Sequence, residues 1–213
     1  MQSAVQAGYQ AFQAALLEGR LRPGQLVSQK ELGAMLGLSV GALREILPRL
    51  QAEGLLNVQP KRGIQIPAID LPMIRNAFQM RAALEREAVM HAVRKLPDAA
   101  LVAQREAHQS ILDALDASGG TDVPEEGQKV DAGLHTLFIE NTGNALLQQA
   151  YEINSIRIRL IKLDRIRLTR TTLPEAFADH MAIIEAVLMR DETRAAQAMD
   201  SHIANARNRA MEF

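Results

Sequence analysis

The chain has 213 residues, 47% of them hydrophobic, and carries 24 Lys and Arg side chains against 25 Asp and Glu side chains. This length allows one or two domains with real cores, and the balanced charge excludes a structural nucleoid protein that coats nucleic acid through an overall basic field. The absence of cysteine excludes a disulfide scaffold and thiolate chemistry. No stretch reaches the ~18 apolar residues of a membrane span, and the N-terminus has no basic segment followed by an apolar one, so we expect a cytoplasmic protein without a membrane partner.

Residues 28–56 predict two short helices joined by a tight turn. Ser28 and Glu31 have the spacing of a capping box, which begins the first helix. Gly37 suits the positive φ of a turn, and Ser39 can cap the second helix. The second helix would bury the residues that repeat at helical spacing, Leu43, Ile46, Leu47 and Leu50. Its opposite face then presents Val40, Gly41, Arg44, Glu45 and Arg49 to solvent.

A hairpin follows these two helices and completes a winged helix-turn-helix. Strands at 55–58 and 64–66 flank the turn 59–63, whose tip carries Lys61 and Arg62. An upstream amphipathic helix over 9–17 supplies the third helix of the unit. The alternative is a helix-turn-helix used only for protein contacts, against which the basic wing tip argues.

Residues 9–66 resemble the GntR family of bacterial transcription regulators. The motifs are GRLRPG at 19–24, ELGAMLGLS at 31–39, REIL at 44–47 and PKRG at 60–63. One departure is Val40, where the family usually has an arginine, and it shifts base reading onto Arg44, Arg49 and the wing. The resemblance implies DNA contacts from Ser28, Ser39, Val40, Gly41, Arg44, Arg49, Lys61, Arg62 and Gly63.

Residues 67–70 predict a linker, because the wing ends at Pro67 and Asp70 can cap a new helix. Beyond the linker the pattern predicts only helices, near 71–95, 98–117, 125–141, 144–170, 174–190 and 192–211, with a turn at 118–120 and a capping box at 172–175. The sequence therefore predicts a mainly α protein, with a winged helix-turn-helix domain at 1–67 and an all-helical antiparallel bundle at 71–213.

Four polar residues lie on apolar helix faces of this bundle: Asp131, His135, His180 and His202. Asp131 and His135 are four residues apart and share a face. His180 and His202 each lie 11 residues from Asp191, so they reach the same level if the last two helices turn there. Imidazole nitrogens with one carboxylate suit a divalent transition metal. The alternative is a set of satisfied core histidines, since His91 and His108 also fall on helical stripes.

The bundle resembles the FCD domain, the ligand-binding domain of the FadR subfamily of GntR regulators. The resemblance is carried by residues 81–85, 131–135, 141–144, 179–180 and 202–203. Many members bind a metal through one Asp and three His, which implies zinc, or alternatively nickel or manganese, at Asp131, His135, His180 and His202. Four protein ligands leave two positions of a six-coordinate ion for the carboxylate of a small organic acid.

Arg81 is the main candidate for contact with that effector. It falls on an apolar stripe, and an arginine at this place in the resembling family reaches the carboxylate. The alternative is an Arg81 paired with Glu85 or reaching out to water. Arg157 and Asn154 on the fourth bundle helix are further candidates for the pocket wall.

Two functions compete at this point. The favoured one is a homodimeric transcription regulator, a repressor that binds a palindromic operator in double-stranded DNA and responds to a carboxylate effector. The alternative is a metal-dependent hydrolase with an attached DNA-binding module, which would need a general base beside the open metal positions. Because the motifs assign the inward histidines to the metal, we expect a regulator and not an enzyme.

Overall fold

The computed structural model describes residues 4–117, 123–166 and 168–212, and the chain divides into two compact units, Met1–Met73 and Ile74–Phe213. The described residues confirm the mainly α fold. Unit 1 contains α1 Ala4–Leu17, β1 Leu26–Val27, α2 Gln29–Leu36, α3 Val40–Ala52, β2 Asn57–Gln59 and β3 Gly63–Gln65. Helices α4 Leu71–Lys95, α5 Asp98–Ala117, α6 Val123–Asn141, α7 Ala145–Asp164, α8 Leu173–Leu188 and α9 Glu192–Met211 follow.

The helix-turn-helix forms as predicted. The Ser28 hydroxyl accepts a hydrogen bond from the Glu31 amide at 3.1 Å, and the Glu31 carboxylate accepts one from the Ser28 amide at 2.8 Å. Gly37 ends α2 with φ 65°, and Ser39 caps α3 by accepting from the Ala42 amide at 3.2 Å. These caps fix both ends of the connecting turn.

The wing is a three-stranded antiparallel sheet in the order β1-β3-β2, in which Leu26 and Asn57 both pair with Gln65. The sequence did not predict β1, which has only two residues. Gly63 has φ 120°, and a Cβ atom at this position would lie 2.6 Å from the Val27 carbonyl oxygen. The close approach of β1 to β3 therefore requires glycine at position 63.

Unit 2 is the predicted helical bundle. Asp70 accepts a hydrogen bond from the Met73 amide at 2.8 Å at the start of α4, and Asp191 caps α9 by accepting from the Arg194 amide at 2.9 Å. The largest fully buried side chains of the bundle are Phe78, Phe138 and Phe177. Among the described residues, no helix combines the length and the apolar character that a membrane crossing demands.

Two predictions about the bundle are wrong. The helix predicted at 144–170 ends at Asp164, and Thr169 instead donates its amide to the Thr172 hydroxyl at 3.0 Å. Such local side-chain bonds compete with helix formation. The predicted capping box at 172–175 is also absent: the Thr172 side chain does not cap α8, which has proline in its first turn. The turn predicted at 118–120 lies outside the described residues.

Candidate functional site

The outward face of α3 and the wing tip form the candidate DNA-binding face. Val40 is 56% exposed, and Gly41 and Arg44 are exposed beside it. Lys61 and Arg62 are exposed at the tip of the wing. The predicted outward face of α3 is therefore confirmed, and Arg44 makes no ion pair within the part of the chain that the structure describes.

Arg49 has partners inside unit 1. Its Nε lies 2.9 Å from the Glu53 carboxylate, and its guanidinium carbon lies 3.9 Å from the centre of the Tyr9 ring. Tyr9 also donates its hydroxyl to Glu53 at 2.5 Å, and burial followed by this contact raises the pKa of Tyr9 to about 12. DNA contact by Arg49 stays a prediction. In the structure this side chain connects α3 to α1 through its contact with Tyr9.

The three predicted histidines meet in the bundle. His135 on α6, His180 on α8 and His202 on α9 are all buried, and each offers a ring nitrogen within 4.8 Å of those of the other two. The Nε2 atoms of His180 and His202 are 3.3 Å apart, which confirms that these residues reach the same level of the α8–α9 pair. We call these three residues the histidine cluster.

The Nδ1 atom of each ring in the histidine cluster lies beside a second side chain. His135 Nδ1 is 2.8 Å from a Glu85 carboxylate oxygen, and His202 Nδ1 is 3.5 Å from a carboxylate oxygen of Asp179. His180 Nδ1 lies 2.9 Å from Nε2 of His108. Of these three contacts, only that between His180 and His108 is a hydrogen bond among the described residues, since Glu85 Oε2 and His202 Nδ1 complete none there. Outer partners that make such bonds orient metal-binding imidazoles and select their tautomers.

His108 fixes the tautomer of His180. His108 Nδ1 lies 2.7 Å from the Gln104 carbonyl oxygen, which can only accept, so Nδ1 carries the proton. Burial lowers the pKa of His108, so its ring is neutral and Nε2 is an acceptor. His180 must then donate from Nδ1, which leaves the lone pair on His180 Nε2 directed at His202. This role could not be predicted from the sequence, because His108 was one of several histidines on apolar stripes.

Asp131 lies at the edge of the histidine cluster. One of its carboxylate oxygens is 3.8 Å from His180 Nε2, and the other forms an ion pair with Lys162 on α7. Burial opposes ionisation of Asp131, but the attraction of the Lys162 ammonium holds the pKa of Asp131 well below its usual range. Asp131 is therefore a buried carboxylate anion.

Arg81 on α4 reaches into the same region. Its Nε donates to Glu85 at 2.7 Å, and both side chains are at most 3% exposed. Its Nη2 lies 2.8 Å from His135 Nε2 and 3.4 Å from His202 Nε2. Nη1 is buried without a hydrogen-bond partner within the described residues. The pairing with Glu85 that the sequence left open is thus present, together with an unsatisfied donor.

These donors fit a divalent transition metal. Burial lowers the pKa of His180 well below its usual value and lowers the pKa of His202 to about 4, so both rings are neutral with lone pairs. At metal–nitrogen distances of about 2.0–2.1 Å, neighbouring ligand nitrogens lie about 3.0–3.4 Å apart. The 3.3 Å separation of His180 and His202 is in this range. Neutral imidazoles with one carboxylate are the donor set that Zn²⁺ and its neighbours accept.

A cavity of about 310 Å³ lies beside the histidine cluster, between α4, α6 and α7. It is lined by Arg81, Asp131 and His135, and by Asn154, which donates its amide to the Ala77 carbonyl at 2.9 Å. The structure places Arg157 outside this lining, with Nη1 donating to the Ile153 carbonyl at 3.3 Å. Several other lining residues were not predicted from the sequence, among them Tyr151, Arg159 and Lys162.

Comparison with known proteins places both units in one family. Residues 5–66 match the gntR family of bacterial regulatory proteins, and residues 76–205 match the FCD domain. The chain belongs to the GntR family. It is 28% identical to the HTH-type transcriptional repressor GlaR of Escherichia coli over 92% of this chain and 90% of GlaR. It is 26% identical to the transcriptional regulator LutR of Bacillus subtilis over 88% of this chain and 92% of LutR.

Solved structures of GntR regulators share the fold. Escherichia coli McbR/YncC matches with a TM-score of 0.71 at 20% identity, over 96% of this chain and 95% of that one. A GntR regulator from Rhodococcus sp. RHA1 matches with a TM-score of 0.68 at 18% identity, over 96% and 95%. The family and its named relatives make the chain a DNA-binding transcription regulator and not an enzyme, so the hydrolase alternative has no support.

Replacing Arg44 should change how this GntR protein reads DNA. We expect Arg44→Ala to cost about 1–3 kcal/mol of specific binding and to relax base preference, since Arg44 is exposed on α3. Lys61→Ala should weaken all sequences alike and flatten the salt dependence, because a wing-tip lysine reaches phosphate. Gel-shift titrations across salt concentrations measure both effects, and unchanged specific binding by Arg44→Ala would contradict the assignment.

Removing the acceptor behind His180 should weaken a metal bound at the histidine cluster. We expect His108→Phe to lower metal affinity about 10–100-fold, because His180 loses the partner that fixes its tautomer. His108→Gln, whose side-chain carbonyl can also accept, should retain more of the affinity. Competition against a chromophoric chelator gives the affinities, and ¹⁵N chemical shifts of the imidazoles report the tautomer. Equal affinities in the wild type and both variants would leave His108 a packing residue only.

Proposed function

We propose that this GntR protein is a repressor of the FadR subfamily, controlled by a small carboxylate effector that binds beside a metal ion in the FCD domain. The observation that carries the proposal is the histidine cluster, with three buried ring nitrogens within 4.8 Å of one another. Asp131 supplies a buried carboxylate beside it. Packing alone does not explain why three imidazoles are buried together, because buried polar groups cost free energy unless they are satisfied.

The metal would be held by Asp131, His135, His180 and His202. Zinc is the first candidate, with nickel and manganese as alternatives, because these ions accept imidazole and carboxylate ligands. When bound, the ion supplies Lewis acidity and open positions for carboxylate oxygens. Glu85, His108 and Asp179 would orient the three rings from behind.

The effector would bind in the adjacent cavity through Arg81. The unsatisfied Nη1 of Arg81 is a buried donor, and a guanidinium is the side chain whose geometry matches a carboxylate. Asn154 lines the same cavity, and its side-chain amide already donates a hydrogen bond to the Ala77 carbonyl of α4. Arg157 has no contact with this cavity to support its predicted role, and Arg159 is the better placed arginine.

The repressor would act in the cytoplasm as a homodimer on a palindromic operator. GlaR, which is similar over most of its length, is named a repressor. A single winged domain offers few cations to DNA, so specific affinity requires two domains reading two half-sites. A closed two-fold dimer is the commonest assembly that supplies them.

Native mass spectrometry with elemental analysis tests the metal directly. We expect one divalent transition ion per chain in protein purified without chelator, and its loss from Asp131→Ala and His202→Ala variants. His91→Ala is the matched control, since His91 lies outside the histidine cluster and contacts Asn141 at 3.2 Å. A metal content of zero in the wild type after reconstitution with zinc, nickel and manganese would end the proposal.

Analytical ultracentrifugation measures the oligomeric state of the protein. We expect a dimer at micromolar concentration, and one dimer bound to each palindromic site. Binding to a palindrome should lose most of its affinity when one half-site is scrambled, because half of the phosphate and base contacts disappear. A monomer in the presence of operator DNA would contradict the dimeric repressor.

A further inference from the structure

The walls of the cavity beside the histidine cluster differ from end to end. At one end Arg81 and Lys162 line it beside Asp131 and His135, and at the other end Glu140 and Gln148 lie where α6 meets α7. The Gln148 amide donates to the Glu140 backbone carbonyl at 3.2 Å, which fixes this end. Nine residues of α6 separate Asp131 from Glu140, so the cavity wall extends about 14 Å at ~1.5 Å per residue.

Glu140 and Glu152 make the far wall of the cavity acidic. Both are exposed, both line the cavity, and neither forms an ion pair with any residue that the structure describes. An ionised carboxylate only accepts hydrogen bonds, so it suits a ligand that presents hydroxyl donors. The same two charges oppose a ligand that carries a second carboxylate here.

Neutral polar groups continue this wall. The Ser155 hydroxyl donates to the Glu152 carbonyl at 2.7 Å and keeps its acceptor capacity towards a ligand. Thr136 lines the cavity on α6, and Tyr151, whose pKa burial and then Glu85 raise above its usual value, lines it on α7 as a neutral phenol. Arg159 is the cation among the described residues of this wall, and it can donate to hydroxyl oxygens between the acidic groups.

We propose that the effector is a polyhydroxy carboxylate, a sugar acid of five or six carbons, bound with its carboxylate at Arg81 and its hydroxyls along Glu140, Gln148 and Glu152. This inference rests on the proposed function, because it assigns the ligand of the same site. The buried, unsatisfied Nη1 of Arg81 provides the carboxylate end independently of the acidic wall. A cavity of about 310 Å³ lies at the small end of the range for ligand pockets, ~300–1,000 Å³, which suits an acid of five or six carbons.

Calorimetry on the full-length, zinc-reconstituted protein tests the proposal with three six-carbon probes: gluconate, adipate and hexanoate. All three carry a carboxylate for Arg81. Gluconate adds hydroxyls along the whole chain, including one next to the carboxylate, whereas adipate adds a second carboxylate and hexanoate adds no polar group. We expect gluconate to bind at least tenfold more tightly than adipate or hexanoate, since only its hydroxyls can donate hydrogen bonds to Glu140 and Glu152. Tighter binding of adipate would instead assign Arg159 to a second carboxylate and overturn the proposal.

Variants of the far wall test recognition of the hydroxyls separately from binding of the carboxylate. Glu152→Ala should weaken gluconate about tenfold and leave hexanoate unchanged, and Glu140→Gln should act in the same direction. Glu106→Ala is the control, because Glu106 is an exposed carboxylate on α5 that does not line the cavity. Equal loss for gluconate and hexanoate in Glu152→Ala would show a structural effect and overturn the hydroxyl assignment.

Failure of this inference is distinguishable from failure of the proposed function. Hexanoate or adipate binding that requires zinc, with no advantage for gluconate, overturns the sugar acid and keeps a metal-dependent carboxylate site. Binding of none of the three probes to protein that holds zinc overturns both the sugar acid and the carboxylate effector.

Discussion

Removing divalent metal from this GntR protein with a chelator should lower the melting temperature of the helical bundle by roughly 10 °C and abolish carboxylate binding. A ligand present at a thousand times its Kd stabilises the folded state by about 4 kcal/mol, and each kcal/mol shifts a bundle of this size by about 2–4 °C. His135, His180 and His202 lie on three different helices, so an ion joining them would connect α6, α8 and α9.

His180→Ala provides the decisive comparison for this prediction. Its melting temperature should be lower than that of the wild type and should no longer respond to the chelator, while operator binding by the N-terminal unit persists. His91→Ala should keep the full response to the chelator. Scanning calorimetry with and without chelator gives all three values, and an equal response of the wild type and His180→Ala would mean that the histidine cluster does not bind the metal.

Breaking the buried pair between Arg81 and Glu85 should destabilise the bundle by about 3–5 kcal/mol. Both side chains are almost fully buried, and removal of one partner leaves the other charge uncompensated away from water. We expect this loss for Arg81→Met in chelator-treated protein without effector, measured as the free energy of unfolding in urea. Arg81→Met/Glu85→Leu, which removes both charges, should recover most of the loss.

An exposed pair on the same helix is the matched control. Arg86 on α4 forms an ion pair with Asp200, and both side chains are exposed. Because solvent screens such pairs, Arg86→Met should cost less than about 1 kcal/mol. Additive losses from Arg81→Met and Glu85→Leu, with no recovery in the double variant, would show that the buried pair contributes little coupling.

Helical periodicity was sufficient to predict which histidines face inward. His180 and His202 could be matched in level from sequence because both helices turn at Asp191 and rise uniformly along their axes. The same reasoning could not identify the role of His108. Periodicity shows that a side chain is buried, but the direction of a ring nitrogen depends on groups such as the Gln104 carbonyl and His180, which lie on different turns and helices.

The position of Arg157 outside the cavity lining has a related cause. Arg157 shares a helical stripe with the apolar residue Leu146, which suggested a place in the pocket wall. Leu146 is 78% exposed, so this stripe of α7 does not mark the cavity wall. The residues of α7 that line the cavity are mostly polar, among them Gln148, Tyr151, Arg159 and Lys162. A hydrophobic pattern predicts the face that packs in a core, and it carries no information about a polar wall that is reserved for a ligand.

Arg81 and Lys162 already contact the atoms that a metal would need. Arg81 Nη2 lies 2.8 Å from His135 Nε2, and Lys162 is paired with Asp131. A nitrogen lone pair that accepts a hydrogen bond from a guanidinium is not available to an ion, so any metal bound at His135 Nε2 must displace Arg81, whereas Lys162 can stay on the Asp131 oxygen that points away from His180. This competition sets a threshold of affinity for entry. Magnesium and calcium prefer oxygen ligands and gain little from imidazole nitrogens, so we expect the contact between Arg81 and His135 to favour transition metals over both ions.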